Sequence, residues 1–175
     1  MKFARVLLPA VVFLPLFALS QTKHYEAPAF SADFPNPPSA TEVKYEDQKL
    51  SLKGGGESTL YEYSVSTDND SVAYMFMYND YPPNSCNDRS ACLDNVMNGA
   101  LSGHDNRTNF KRWSCHVDNL PANCFSFTDP GKWSYSIRQA VRYLNGTPRL
   151  YQMVYVGSQP DSGKAEPYFD SVKIK

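Results

Sequence analysis

WSYSIRQAVRYLNGTPRLYQMVYV, residues 133–156, consists of two alternating runs on either side of Asn145-Gly146. That dipeptide readily takes φ > 0 at both central positions of a type I′ turn, so it predicts a two-residue β-hairpin. Pairing outward from the turn sets Val141 opposite Leu150, Gln139 opposite Gln152, Ile137 opposite Val154 and Tyr135 opposite Val156. That face is mostly apolar. The other face sets Arg138, Ala140 and Arg142 against Met153, Tyr151 and Arg149. A slip of one residue would exchange the two faces, so the pattern selects this register. The hairpin is expected at the centre of an antiparallel sheet.

Upstream, residues 30–34 (FSADF) alternate and stop at Pro35, which predicts a first strand. Pro35-Asn36-Pro37-Pro38 cannot lie in a sheet interior and reads as an exit loop. Residues 42–52 alternate weakly and lead into Gly54-Gly55-Gly56, a turn. Residues 58–66 and 71–78 are two further strands around Thr67-Asp68-Asn69-Asp70. Leu93, Val96, Met97 and Leu101 recur at helical spacing and predict a helix over residues 91–103, with Ser90 as N-cap and Gly103 as its stop. Residues 110–117 and 122–127 form another hairpin, joined through Asp118-Asn119-Leu120-Pro121. After the opening hairpin, residues 164–171 predict a short helix, whose first turn tolerates Pro167. Val172 and Ile174 close the chain. The expected fold is α+β: a mostly antiparallel sheet of about seven strands, with a mid-chain helix and a short C-terminal helix packed on it.

The first twenty residues carry Lys2 and Arg5, an apolar run over 6–19, and Ala18-Leu19-Ser20 before Gln21. This is the layout of a secretory signal peptide cut after Ser20. The run is short for a span and holds Pro9 and Pro15, and no later segment is apolar enough to cross a membrane. Residues 21–29 read as a flexible polar arm, and residues 30–175 as a single domain. Without Lys2 and Arg5 the net charge moves from −1 to −3. A near-neutral, slightly acidic chain has no general pull toward nucleic acid or anionic lipid. The expected location is secreted or periplasmic.

All four cysteines lie beyond the signal. In an exported chain they read as two disulfides, among three possible connectivities. Cys115 and Cys124 lie symmetrically about Asn119-Leu120 and would face each other across a hairpin, which leaves Cys86 and Cys92 to close the NSCNDRSAC loop. No C-x-x-C occurs, and His104 and His116 lack zinc-ligand spacing. No metal or cofactor is expected.

The order of elements resembles the Mog1/PsbP-like α/β/α sandwich superfamily, in particular its small exported bacterial domains. The resemblance rests on Phe30-Ser31-Ala32-Asp33-Phe34-Pro35, the helix over 93–101, Leu120-Pro121-Ala122-Asn123-Cys124-Phe125, the strand pair over 142–155, and the closing Tyr168-Phe169-Asp170-Ser171-Val172. Ala122 stands where that segment usually has glycine, and the cysteine pairs are not part of the general pattern. The resemblance covers residues 30–174. It implies a non-catalytic binding or accessory domain with a protein partner, and it supplies no catalytic residues.

Chemistry-bearing clusters are sparse. Ser102, His104 and Asp105 are adjacent at a helix end, whereas a triad is assembled from separate elements, and no G-x-S-x-G elbow is present. His116 lies on a strand beside Cys115, and His24 in the arm. Asp68, Asp70, Asp80 and Asp88 do not follow a calcium-loop pattern, and turn chemistry accounts for them. Asn106-Arg107-Thr108 and Asn145-Gly146-Thr147 match the glycosylation sequon. The main binding candidate is the second face of the opening hairpin, with Arg138, Arg142, Arg149, Tyr151 and Tyr155. Arg142 and Arg149 are opposed, which is unfavourable without an anion, a carboxylate or solvent between them. One reading is a surface for an acidic partner. Another is a covered sheet face with arginine stems lying over tyrosines. A small secreted hydrolase and a carrier with a pocket between sheet and helix are the alternatives to a binding domain.

Overall fold

The computed structural model describes residues 21–36, 40–51, 56–67, 71–83, 85–131, 133–158 and 163–175. Residues 1–20, read above as a signal peptide, Pro37 and Pro38, read as part of a loop, and Gly54, Gly55, Asp68, Asn69 and Asp70, read as turns, lie outside the described residues. The described elements run in chain order as β1 (Thr22–Glu26), β2 (Phe30–Pro35), β3 (Lys44–Ser51), β4 (Glu57–Thr67), β5 (Val72–Asp80), α1 (Arg89–Leu101), β6 (Thr108–Val117), β7 (Leu120–Thr128), β8 (Ser134–Leu144), β9 (Thr147–Gly157), α2 (Glu166–Ser171) and β10 (Lys173–Ile174). Sheet dominates, and the two helices are short.

Seven strands form one antiparallel sheet in the order β3-β4-β5-β9-β8-β7-β6, with β9 in the middle. The opening hairpin is β8–β9, in the register its pattern predicts: Val141 opposite Leu150, Gln139 opposite Gln152, Arg142 opposite Arg149. Its turn holds Asn145 at φ 52° and Gly146 at φ 82°, both in the left-handed region a type I′ turn demands. Gln139 is fully buried, and its amide donates to the Gln152 side chain across the strand pair. The meander β3-β4-β5 and the meander β6-β7-β8-β9 meet at β5–β9, where Asp80 falls opposite Arg149.

Each face of this sheet is covered by a different layer. On the Ile137–Val154 face lies α1, which buries Leu93, Met97 and Leu101 against Phe125, Phe127, Val141 and Leu150. Its N-cap is Asp88 rather than the expected Ser90. The Asp88 carboxylate accepts the backbone N–H groups of Ser90 and Ala91 at 2.8 and 3.3 Å, satisfying donors that a helix start leaves free. The Cys86–Cys92 bridge anchors that start, and the Tyr143 hydroxyl donates to the Cys86 carbonyl at 2.6 Å.

The Tyr151–Met153 face carries a second, smaller sheet, β1-β2-β10, together with α2. The stretch expected to be a flexible arm is therefore a strand in part. His24 lies opposite Asp33 and Tyr25 opposite Ala32, so its backbone groups find partners along β2 although its side chains stay mostly exposed. Closing residues Lys173 and Ile174 pair on the other edge of β2. Phe30 is the rivet between the sheets: it is fully buried and stacks on Phe76, with its ring centroid 5.0 Å from that of Tyr63. Tyr168 of α2 is equally buried, its hydroxyl donating to the Met75 carbonyl at 2.7 Å.

Cys115 and Cys124 are bridged, as expected, through a different geometry. The β6–β7 turn centres on Asp118-Asn119, with Val117 opposite Leu120, so Cys115 faces Ala122 and Cys124 faces Trp113. The bridge is thus diagonal. Asp118 accepts φ 52° at that turn, a conformation aspartate tolerates better than most residues. Both bridges are compatible with an exported protein. No helix among the described residues is long and apolar enough to cross a membrane.

Candidate functional site

Tyr151, Tyr155 and Arg138 of the second hairpin face lie beneath a layer, not on an open surface, while Arg142 and Arg149 are half-buried. Tyr151 and Tyr155 are 0% and 2% exposed and belong to the core between the two sheets. Of the two readings of this face, the covered one describes the tyrosines and Arg138, over which β2, β10 and α2 pack. Tyrosine alternation looks the same whether the face meets solvent or a second layer.

Burial on this face requires counter-charges for the arginines, and two of the three have them. Arg138 is 9% exposed, lies over the Phe169 ring at 4.6 Å, and donates to Glu166 and to Asp170, the latter at 3.1 Å. Both carboxylates come from α2, so this cluster pins the helix to the sheet. Arg149 makes a two-pronged contact with Asp80, Nε to Oδ1 at 2.6 Å and an Nη to Oδ2 at 2.8 Å, with its guanidinium 5.2 Å from the Tyr78 ring centroid. The Asp80 bonds hold the Arg149 pKa above its ordinary range, outweighing the burial that opposes it.

Arg142 is different. It is half-buried and makes no ion pair with any described residue. It lines a cleft of about 360 Å³ with Asp118, Asn119, Leu120 and Ile174. The cleft's one carboxylate is already committed: Asp118 accepts the Ile174 backbone N–H at 3.4 Å and lies 3.6 Å from Lys173 Nζ. In the core on the same strand as Arg149, the Tyr151 hydroxyl is buried without a hydrogen-bond partner of normal geometry among the described residues. Burial raises the Tyr151 pKa, while the charges of Arg149 and Arg142 act to lower it.

A second cleft, of about 230 Å³, opens where α2 stops covering the sheet. Lys111, Trp113, Ser126 and Ser136 line it from the sheet, and Glu166 and Phe169 from α2. Trp113 is 43% exposed there.

The histidines are dispersed. His104 Nδ1 lies 3.4 Å from Asp129, with its ring against Phe127 and Tyr135. Ser102, its neighbour in the considered triad, turns its hydroxyl back to the Gly99 carbonyl at 2.7 Å, so the two are not arranged as nucleophile and base. His116 is exposed on β6, opposite Pro121. His24 contacts Asp33 at 2.6 Å and Glu26 at 3.2 Å on the outer sheet, and the Asp33 hydrogen bond leads in raising its pKa. Among the described residues, no three His, Cys, Asp or Glu side chains are grouped as a metal site.

Sequence reasoning missed Asp80 as the partner of Arg149, because that pairing depends on β5 lying beside β9, strands far apart in the chain. It missed Glu166 and Asp170 for the same reason. Their i, i+4 spacing on one helix face was the available signal. No protein-family model, curated protein or solved structure matches this chain.

Proposed function

We propose that this chain is an exported, non-catalytic binding or accessory domain of Mog1/PsbP-like type, and that it engages an acidic group of a protein partner at Arg142. The observation that carries the reading is the unequal treatment of three arginines on one face. Arg138 and Arg149 are neutralised within the fold, whereas Arg142, beside an open cleft, has no ion-pair partner among the described residues. A half-buried guanidinium without a counter-ion is costly unless something supplies one. The signal-peptide pattern of residues 1–20 and the two disulfides support a site of action outside the cytoplasm.

The test is affinity capture from the native host with the wild-type chain, Arg142→Glu, and Lys44→Glu on the exposed β3 edge as a charge-matched control. The reading expects one partner lost with Arg142→Glu and retained with Lys44→Glu. Equal capture by all three would refute it. A carrier is the second reading, favoured by the Trp113 cleft between sheet and α2, whose aromatic and hydroxyl lining suits a small ligand. Quenching or enhancement of Trp113 fluorescence by material extracted from the purified native protein would favour it.

A further inference from the structure

The Arg142 cleft has a chemistry specific enough to name its occupant, granted the binding role proposed above. Arg142, which has no ion-pair partner among the described residues, presents a planar guanidinium fork matched to two oxygens of a single acid. Leu120 and Ile174 give it apolar walls, and Asn119 contributes an amide from the β6–β7 turn. Asp118 stands in the same cleft, so a dianion such as a phosphate monoester would meet a like charge that a monoanion meets less strongly. We infer that the cleft binds a monocarboxylate with a compact apolar body, its carboxylate held by Arg142 and its body against Leu120 and Ile174.

Two sources present that chemistry: a free carboxylic acid, or the carboxyl terminus of a partner chain. 3-Phenylpropionate serves as the probe for the first and N-acetyl-leucine for the second. N-acetyl-leucinamide, the same body without the charge, is the control. Each is titrated into the full mature chain while the backbone amide NMR signals of Asn119, Leu120 and Ile174 are followed, in wild type, Arg142→Gln and Arg142→Lys.

Saturable shifts at those amides with at least one carboxylate are expected, with affinity about tenfold or more weaker for the amide and for Arg142→Gln, the loss of a charge-assisted hydrogen-bond pair. Arg142→Lys should fall between, keeping the charge without the fork. The tighter of the two carboxylates identifies the source. No shift with either acid, or equal shifts with the amide, overturns the inference. If neither acid binds while Arg142→Glu still loses its captured partner, the carboxylate inference fails and the binding function stands. If an acid binds and capture is unaffected, the reverse holds.

Discussion

Asp80→Asn isolates the internal arm of the charge row at the end of the second face. It keeps the shape of the side chain and removes the charge that neutralises Arg149. At an effective dielectric of 20, opposite charges about 4 Å apart attract by about 4 kcal/mol before desolvation is counted. Arg149 is 22% exposed and Asp80 44%, so water screens the pair and also spares part of the desolvation cost. An exposed pair contributes about 0–1 kcal/mol, while breaking a buried one costs about 3–5. This half-buried, two-pronged contact belongs between, at about 1–2 kcal/mol. It also shields Arg149 from Arg142, directly opposite. Removing it leaves two guanidinium groups facing each other, so Arg142→Gln should be neutral to stabilising alone, since it relieves an unpaired charge, and should partly rescue Asp80→Asn. Urea unfolding with disulfides intact measures all four members of the cycle, at low and high salt. Additive effects, or Arg142→Gln costing as much as Asp80→Asn, would show that the two arginines are not distinguished as argued.

Phe30→Ala should cost about 3–5 kcal/mol, because it opens a cavity where the two sheets meet, and the same unfolding experiment reads it. His24 should titrate above the ordinary histidine range, with Asp33→Asn bringing it down, followed by its ring NMR signals across pH. The sign follows from linkage: the raised pKa makes any stabilisation present at low pH and lost as pH rises through the folded-state value, so the β1–β2 contact weakens toward alkaline pH. Non-reducing peptide mapping should recover Cys86–Cys92 and Cys115–Cys124 and no free thiol. Replacing Cys115 and Cys124 by serine should lower stability by about 2–4 kcal/mol, the usual effect of closing a short loop.

Local rules account for most elements. Asn145-Gly146 fixed the turn, the register and hence the faces of the central hairpin, because those depend only on neighbours in sequence. The spacing of Leu93, Met97 and Leu101 located α1 in the same way. What local rules could not supply was the covering of the Tyr151 face. That depended on residues 22–26, polar enough to look unstructured, pairing with β2, and on Ile174 returning from the far end of the chain to the other edge of β2. The candidate site followed suit. The opposition of Arg142 and Arg149 was legible from the hairpin alone, but which of them keeps its charge free was decided by Asp80, whose place beside Arg149 is a matter of long-range strand order. The diagonal Cys115–Cys124 bridge turned on where the left-handed residue fell, at Asp118, which composition alone does not distinguish from its neighbours.

The most direct test of the central claim is photo-crosslinking in the native host. A photoreactive residue replaces Asn119 on the rim of the Arg142 cleft, or Gln48 on the opposite edge of the sheet as a control. The account predicts a discrete adduct from position 119 that disappears when Arg142→Glu is added, and none of the same mass from position 48. An adduct from position 119 that survives Arg142→Glu, or no adduct there at all, would contradict it.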